Sequence, residues 1–386
     1  MPLKVLHVSS GNLYGGVETL LVTLAREHGA CPQMESHFAL CFEGRLSSEL
    51  AAFDNPATIL GPVRTRAPWT IVEARRKLRR AIEALKPDIV VCHMPWTLAI
   101  FGRVATRLGI PLVFWMHDRA HGTHWIEHWA GRRRPDLVIC NSRFTAESAP
   151  RLFPRHTPPR EVLYCPVVAP ESAGTSAEER LAVRTELETA GDAVVIVQVS
   201  RMEPYKGHTL LLQALGRLQE LSGWVCWIVG GPQAPHQISY LRRLEAQAAQ
   251  AGLSDRVRFV GERRDVGRLL GAADIFCQPN LRGEPFGVVF VEALYHGLPV
   301  VTTRLGGAVE VIDDSCGHLV EPDAPAELAA ALQRLIRDAS HRKGLGAGGP
   351  ARARSISGPG RSLARLALML GKVSTQPGAA ALEPQP

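Results

Sequence analysis

The sequence predicts an α/β protein made of two domains, each built on a parallel sheet. Three observations predict it: two successive rounds of short, continuously apolar runs, amphipathic segments of helical period between those runs, and a Pro/Ala/Ser/Gly-rich stretch that divides the rounds. The chain has 386 residues, 46% apolar and 21% charged, which is too apolar for disorder and long enough for two ordinary domains. Its 35 Gly and 28 Pro are too few and too aperiodic for a collagen-like or low-complexity polymer.

In the first round the apolar runs are residues 4–9, 37–42, 88–93, 111–116 and 136–141. Runs without alternation suit strands buried on both faces of a parallel sheet. The segment 71–85 between them has the helix period: Ala74, Leu78, Ala81, Ile82 and Leu85 on one face, Arg75, Arg76, Arg79 and Arg80 on the other. The second round opens with a charged helix near Glu178. Strands at 193–199, 224–229, 257–260, 274–277, 299–302 and 317–320 follow, with helices such as 208–221 between them. These patterns give a first domain over 1–168, a linker over 169–177 and a second domain over 178–360. Within the second domain, 344–360 reads as a Gly/Arg/Ser-rich segment. A further helix over 361–372 and a disordered tail over 373–386 complete the expectation.

Composition excludes several classes of function. No apolar run approaches the ~20 residues a bilayer span needs, and the N-terminus reads as a first strand rather than a signal peptide, so a cytoplasmic location is expected. None of the eight cysteines forms a C-x-x-C pair, which disfavours zinc ribbons and redox pairs, and most lie in strand-like runs as small hydrophobes. A net charge of +7 is mild, and no basic stripe interleaved with aromatics points to nucleic acid. The arginine face of 71–85 and Arg132, Arg133 and Arg134 offer peripheral contact with an anionic membrane on its inner face, or an ordinary solvated surface.

Chemistry is written where strands end. Gly11, Gly15 and Gly16 follow the first strand, where glycine lets backbone approach a ligand and a helix N-terminus suits an anion. This is not the dinucleotide fingerprint, because Leu13 stands where G-x-G-x-x-G needs glycine, and a nicotinamide-dependent oxidoreductase is disfavoured. Arg201 and Lys206 follow the strand at 193–199, two cations at the edge where open α/β sheets bind ligands. In 280–299, Pro285 suits a first helical position, so a helix is expected to start there with the N–H groups of Phe286, Gly287 and Val288 unpaired. Glu284 and Glu292 would then flank that end, acceptors for hexose and ribose hydroxyls. His117, His121, His124 and His128 recur at helical steps that could hold zinc, but Gly122 interrupts any helix, and no metal is expected.

Taken together, these motifs resemble glycosyltransferase family 4, with its GT-B fold, over nearly the whole chain. They are Gly15-Gly16-Val17-Glu18, His117-Asp118, Ser200-Arg201 with Lys206-Gly207, Ala273-Asp274, Glu284-x7-Glu292, 297–301, and Gly306-Gly307 followed by Glu310. The resemblance implies two Rossmann-like domains facing across a cleft, the second holding a nucleoside diphosphate sugar and the first an acceptor. It also implies a retaining hexosyltransferase of polysaccharide or glycoconjugate biosynthesis, needing no metal or cofactor. Its donor would be UDP- or GDP-linked, its acceptor a glycan, lipid-linked or small-molecule hydroxyl. Arg201 and Lys206 would neutralise the diphosphate. Glu284 with the backbone of Phe286, Gly287 and Val288 would hold the hexose, and Glu292 the ribose. Gly15 and Gly16 would approach the donor, His117 would contact the transferred sugar, and His121 or His124 would line the acceptor pocket. Retention would come from front-face attack, the departing diphosphate helping to take the acceptor proton. The sequence departs from the family at 161–168, apolar where a polar turn is usual, and at 343–360. The alternative is a non-catalytic GT-B relative acting as a binding or regulatory protein.

Overall fold

The computed structural model describes residues 2–12, 14–170 and 175–375. These residues fall into two compact units, one running to Val168 and resuming at Ser357, the other Ala169–Ile356.

In the first unit β1 (Leu3–Ser9), β2 (Met34–Leu40), β3 (Thr58–Ile59), β4 (Ile89–His93), β5 (Leu112–Met116), β6 (Leu137–Cys140) and β7 (Arg160–Val162) form one parallel sheet in the order β3-β2-β1-β4-β5-β6-β7. The helices are α1 (Gly16–Arg26), α2 (Arg45–Ala52), α3 (Pro68–Leu85), α4 (Met94–Arg107), α5 (Trp125–Ala130) and α6 (Arg143–Leu152). Strands β4 and β5 are buried along their whole length, as continuous apolar runs require. The pattern at 71–85 is α3, which starts at Pro68 and buries Ala74, Leu78 and Ile82. Edge strands β3 and β7, two and three residues long, are too short to leave a pattern in the sequence.

The second unit repeats the plan: α7 (Ala177–Glu186), β8 (Val194–Val199), α8 (His208–Gly216), β9 (Trp224–Val229), α9 (Pro235–Gln250), β10 (Val257–Gly261), α10 (Val266–Ala272), β11 (Ile275–Gln278), α11 (Val288–Tyr295), β12 (Val300–Thr303), α12 (Ala308–Val311), β13 (Gly317–Val320), α13 (Pro325–Arg337) and α14 (Ala339–Ser357). Its parallel sheet has the order β10-β9-β8-β11-β12-β13. Each sheet therefore has one switch point, between β1 and β4 and between β8 and β11, where neighbouring strand ends splay and open α/β sheets bind ligands. Asp274, just before β11, fastens this unit: it takes Arg180 and Arg184 of α7 at 2.6 and 2.7 Å and the Val195 amide at 2.7 Å.

Three expectations are corrected. Residues 344–357 are not an irregular segment but the body of α14, because its glycines admit neighbouring backbone. A Cβ on Gly346 would lie 2.2 Å from the Gly297 carbonyl oxygen, and one on Gly348 2.0 Å from that of Ser315. Helix α8 stops at Gly216, short of 221. The last helix, α15 (Pro359–Thr375), starts before 361 and includes 373–375, and the remainder of the tail, 376–386, lies outside the described residues, as do 171–174 of the linker. Leu363, Leu366, Met369 and Leu370 of α15 join the core of the first unit with Leu20, Leu24 and Val91, burial that a helix of this amphipathic spacing demands.

Candidate active site

At the switch point of the second sheet, β8 ends at Val199 and the chain turns through Ser200 and Arg201 into a single 3-10 turn, Pro204–Lys206. Gly207 follows with φ +77°, and a Cβ there would stand 1.8 Å from the Pro279 carbonyl oxygen. Only glycine lets this turn lie against the end of β11. Lys206 is thereby delivered to Glu284: its Nζ donates to Oε2 at 2.5 Å, with the two side chains 12% and 14% exposed. A polar chain from both strands steadies the pair. Asn280 Nδ2 donates to the same Glu284 oxygen at 3.2 Å, Gln278 Nε2 to Asn280 Oδ1 at 3.1 Å, and Gln198 Nε2 to the Lys206 carbonyl at 2.8 Å. Arg201 is exposed and donates to the Tyr205 hydroxyl at 2.9 Å, so the structure unites Lys206 with Glu284 and leaves Arg201 at the rim.

The helix expected from Pro285 begins instead at Val288. Gly287 is left-handed, φ +92°, which no continuing helix can contain. Residue 284 instead forms a parallel bridge with Gly306, whose neighbour Gly307 donates its amide to the Glu284 carbonyl at 2.6 Å. Cβ atoms on Gly306 and Gly307 would come within 2.5 Å of the carbonyl oxygens of Glu284 and Pro285. The Gly-Gly motif therefore lets the chain close behind Glu284. The helix's own orphan amides are those of its first turn, Val288 among them, while Phe286 and Gly287 precede the helix. Glu292, one turn further along α11, is half-buried, and its carboxyl hydrogen-bonds to no described residue. Enclosure by protein pushes it from 4.5 up to about 7.

In the first unit Gly15 is the N-cap of α1 and Gly16 its first residue. Tyr14 beside them is held to α2: its hydroxyl donates to Glu49, and the Arg45 guanidinium lies 3.6 Å from its ring centroid. His117 follows β5, buried, with its carbonyl taking the Asn141 amide at 3.1 Å. Its Nε2 meets Nδ1 of His93 at 2.8 Å, and His93 Nε2 meets Nδ1 of His7 at 3.0 Å. Burial lowers His117 and His7 to about 3 and holds His93 well below its ordinary value. His121 and His124 sit in an exposed loop whose amides converge on one acid. Glu127 accepts from His121 and Gly122 at 3.0 and 2.8 Å and from His124 at 3.4 Å. The four histidines from 117 to 128 share no helix, since α5 begins at Trp125, and no described residues group as a metal site.

Sequence reasoning missed His7, His93, Asn280 and Glu127. The first two had a signal, a histidine inside each of two apolar strand runs. A polar ring in a buried run needs a partner on a neighbouring strand.

Comparison with known proteins covers both units. The family Glycosyltransferase Family 4 matches residues 14–169, and Glycosyl transferases group 1 matches 179–352. A phosphatidyl-myo-inositol mannosyltransferase of Mycobacterium leprae is 38% identical over 139 residues, 35% of each chain. A D-inositol 3-phosphate glycosyltransferase of Nocardioides sp. is 28% identical over 329 residues, 77% of this chain and 70% of that one. The matched stretches span about a third to a half of the length of the first such relatives. Among solved structures, HepE of Anabaena, crystallised with UDP and glucose, superimposes with a TM-score of 0.81 at 22% identity, covering 96% of this chain and 99% of that one. A glycosyltransferase of Rickettsia africae gives 0.83 at 18%, covering 96% and 98%. The fold is GT-B, two Rossmann-like domains.

Proposed function

Given that the chain belongs to glycosyltransferase family 4, we propose that it moves a hexosyl group, with retention, from a nucleoside diphosphate sugar to a hydroxyl acceptor. One observation carries the reading: the Lys206–Glu284 ion pair, set where β8 and β11 part. A lone solvated pair would contribute little, whereas this one is sheltered and buttressed by Asn280, so the two groups are fixed relative to each other. An ammonium has three donors, and one goes to Glu284. The others are available to a diphosphate, whose charge grows as the bond to the sugar carbon breaks, with Arg201 adding a second cation from the rim. Glu284 keeps acceptor capacity for hexose hydroxyls beside the Val288 amide, and Glu292 supplies an acceptor for ribose. The acceptor hydroxyl attacks on the face the diphosphate leaves, and the departing phosphate oxygen takes its proton. His117, in the first unit, is assigned to the sugar being transferred, with Gly15 and Gly16 close to the donor and His121 or His124 on the acceptor. The scheme assigns no role to a metal or a resident cofactor.

HepE's ligands make UDP-glucose the first donor to test, and the relatives' names favour an inositol-bearing or lipid-linked acceptor. Contact with an anionic membrane draws support from the first unit. Arg76, Arg79, Arg103 and Arg107 are exposed there, whereas Arg75 and Arg133, expected on that surface, are half-buried and donate to the Ile100 and Ala99 carbonyls at 2.7 and 3.1 Å. Trp69 and Trp125 stand 69% and 53% exposed on α3 and α5, while no helix of the described residues is long and apolar enough to cross a membrane. A thermal-shift panel of UDP, GDP and their sugars, followed by assay of nucleoside diphosphate release with candidate acceptors, tests the reading. Binding with no release under any acceptor would favour the non-catalytic alternative, and no binding at all would refute the donor site.

A further inference from the structure

Three histidines run in single file across the first sheet. Strands β1, β4 and β5 are neighbours, His7 stands opposite Val91 and His93 opposite Trp115, so each ring lies two residues further toward the carboxyl edge than the last. His93 and His117 have centroids 5.1 Å apart and planes 11° apart, with 2.8 Å between Nδ1 and Nε2. That is the geometry of rings joined edge to edge by one hydrogen bond. Phe38 of β2 stacks on His7 and Trp115 of β5 on His93, which fixes the ring planes. Met94, immediately after His93, has φ +71°, a strained conformation for a side chain of this kind, and one that recurs at functional sites.

A neutral imidazole carries one N–H and one lone pair, so a row of three has only two internally consistent proton arrangements. In one, each Nδ1–H donates to the next Nε2 from His7 through His93 to His117, and His117 ends the row with Nδ1–H. In the other the bonds reverse, His117 ends with a bare Nδ1, and His7 carries Nε2–H. The far end of the row decides between them. His7 Nε2 is buried with no partner among the described residues, and an orphaned buried N–H is rarer in proteins than an unsatisfied acceptor.

Resting on the transferase reading above, we propose that His7 and His93 are positioning residues that hold His117 as an Nδ1–H donor, aimed at an oxygen of the transferred sugar and unfit to act as a base. Burial keeps the row uncharged, and His37 of β2 adds like-charge repulsion toward His7. The reaction thus takes its proton acceptor from the departing diphosphate, while His117 stabilises charge without exchanging its proton. His93 sets the polarity of that donor. Without it, His117 relaxes to the Nε2–H form that free imidazoles favour.

The test uses the full chain with 15N-histidine. Long-range 1H–15N correlation at pH 7 reads each tautomer, and single His→Gln variants assign the signals. The expected result is Nδ1–H with bare Nε2 at His7, His93 and His117. Nε2–H at His117, or a positively charged ring at any of the three, overturns the proposal whether or not the protein transfers sugar. His93→Leu is expected to shift His117 to Nε2–H and lower kcat by about tenfold to a hundredfold with donor KM little changed. His93→Gln, whose amide can accept from His7 and donate to His117, should restore both. A His117 tautomer unchanged in His93→Leu also overturns it. If that variant does not fold, the tautomers of the unsubstituted protein still decide. Absence of turnover with the predicted tautomers in place would count against the transferase reading alone.

Discussion

Glu292 offers a quantitative test of why an acid occupies a half-buried position on α11. Its carboxyl is raised from 4.5 to about 7, by burial and by nothing else of size, and it has no hydrogen-bond partner among the described residues. A folded-state value above the unfolded one means that the folded chain binds the proton more tightly. The cost to stability is absent below about pH 4.5, where both states are protonated, grows as pH rises toward 7, and is complete above it. At ~1.4 kcal/mol per pH unit between the two values, this comes to about 3 kcal/mol. Glu292→Gln, nearly isosteric and uncharged, should be no more stable than the parent at pH 4.5 and on the order of 2 to 3 kcal/mol more stable at pH 8, read by urea unfolding. If the acid is retained for ribose, the same variant should bind UDP or GDP ten- to a hundredfold more weakly at pH 8 by calorimetry, the worth of hydrogen bonds to a charged acceptor. Nucleotide affinity of the parent should rise from pH 6 to pH 8, and that dependence should vanish in the variant. A variant as stable as the parent at pH 8 would refute the burial argument, and one with unchanged nucleotide affinity would refute the assigned role.

Other substitutions separate scaffold from chemistry. Lys206→Met should cut turnover at least about a hundredfold and weaken nucleoside diphosphate binding while leaving the circular dichroism spectrum unchanged, and unaltered kinetics would remove Lys206 from the site. Asp274→Ala should cost about 3 to 5 kcal/mol in urea unfolding, because Arg184, 2% exposed, loses its counter-ion, yet leave donor KM unchanged in the folded fraction. Gly307→Ala should both destabilise the fold and abolish transfer, since its Cβ would lie 2.5 Å from the Pro285 carbonyl oxygen and push the Glu284 loop aside. Replacing Arg76, Arg79, Arg103 and Arg107 with Glu should abolish flotation with phosphatidylglycerol vesicles, and flotation that survives would place the membrane contact elsewhere.

Much of the fold was legible because its signals are local. A run such as 111–116 is apolar at every position, and β5 is buried at every position. Helix α14 was not legible, because glycine is the poorest helix former after proline and 339–357 holds four glycines as well as Pro350. The reason it is helical lies elsewhere in the chain, in the carbonyls of Gly297, Ser315 and Leu294 that only a helix without side chains on that face can approach. The start of α11 failed for a related reason. Pro285 is a good first helical residue in isolation, but the bridge to Gly306 holds residue 284 extended, and Gly287 then resets the chain.

The site divides along the same line, and the division says what each motif is for. Lys206 and Glu284 are 78 positions apart and meet at 2.5 Å, so no window of sequence contains their relation, although each stands out by its place after a strand. Gly207, Gly306 and Gly307 belong to the motifs that carry the family resemblance, and a Cβ placed on any of them strikes protein backbone. Asp274, of the Ala273-Asp274 motif, is engaged by two arginines and an amide. Motif residues of this chain therefore fall into two kinds. The glycines and Asp274 close the framework, and their substitution should be read first in unfolding curves. Lys206, Glu284 and Glu292 present groups whose bonding within the protein is incomplete, and their substitution should be read first in binding and kinetics. An unpaired acid at the edge of a core is a standing cost to the fold, and its persistence is best explained by a ligand that completes it.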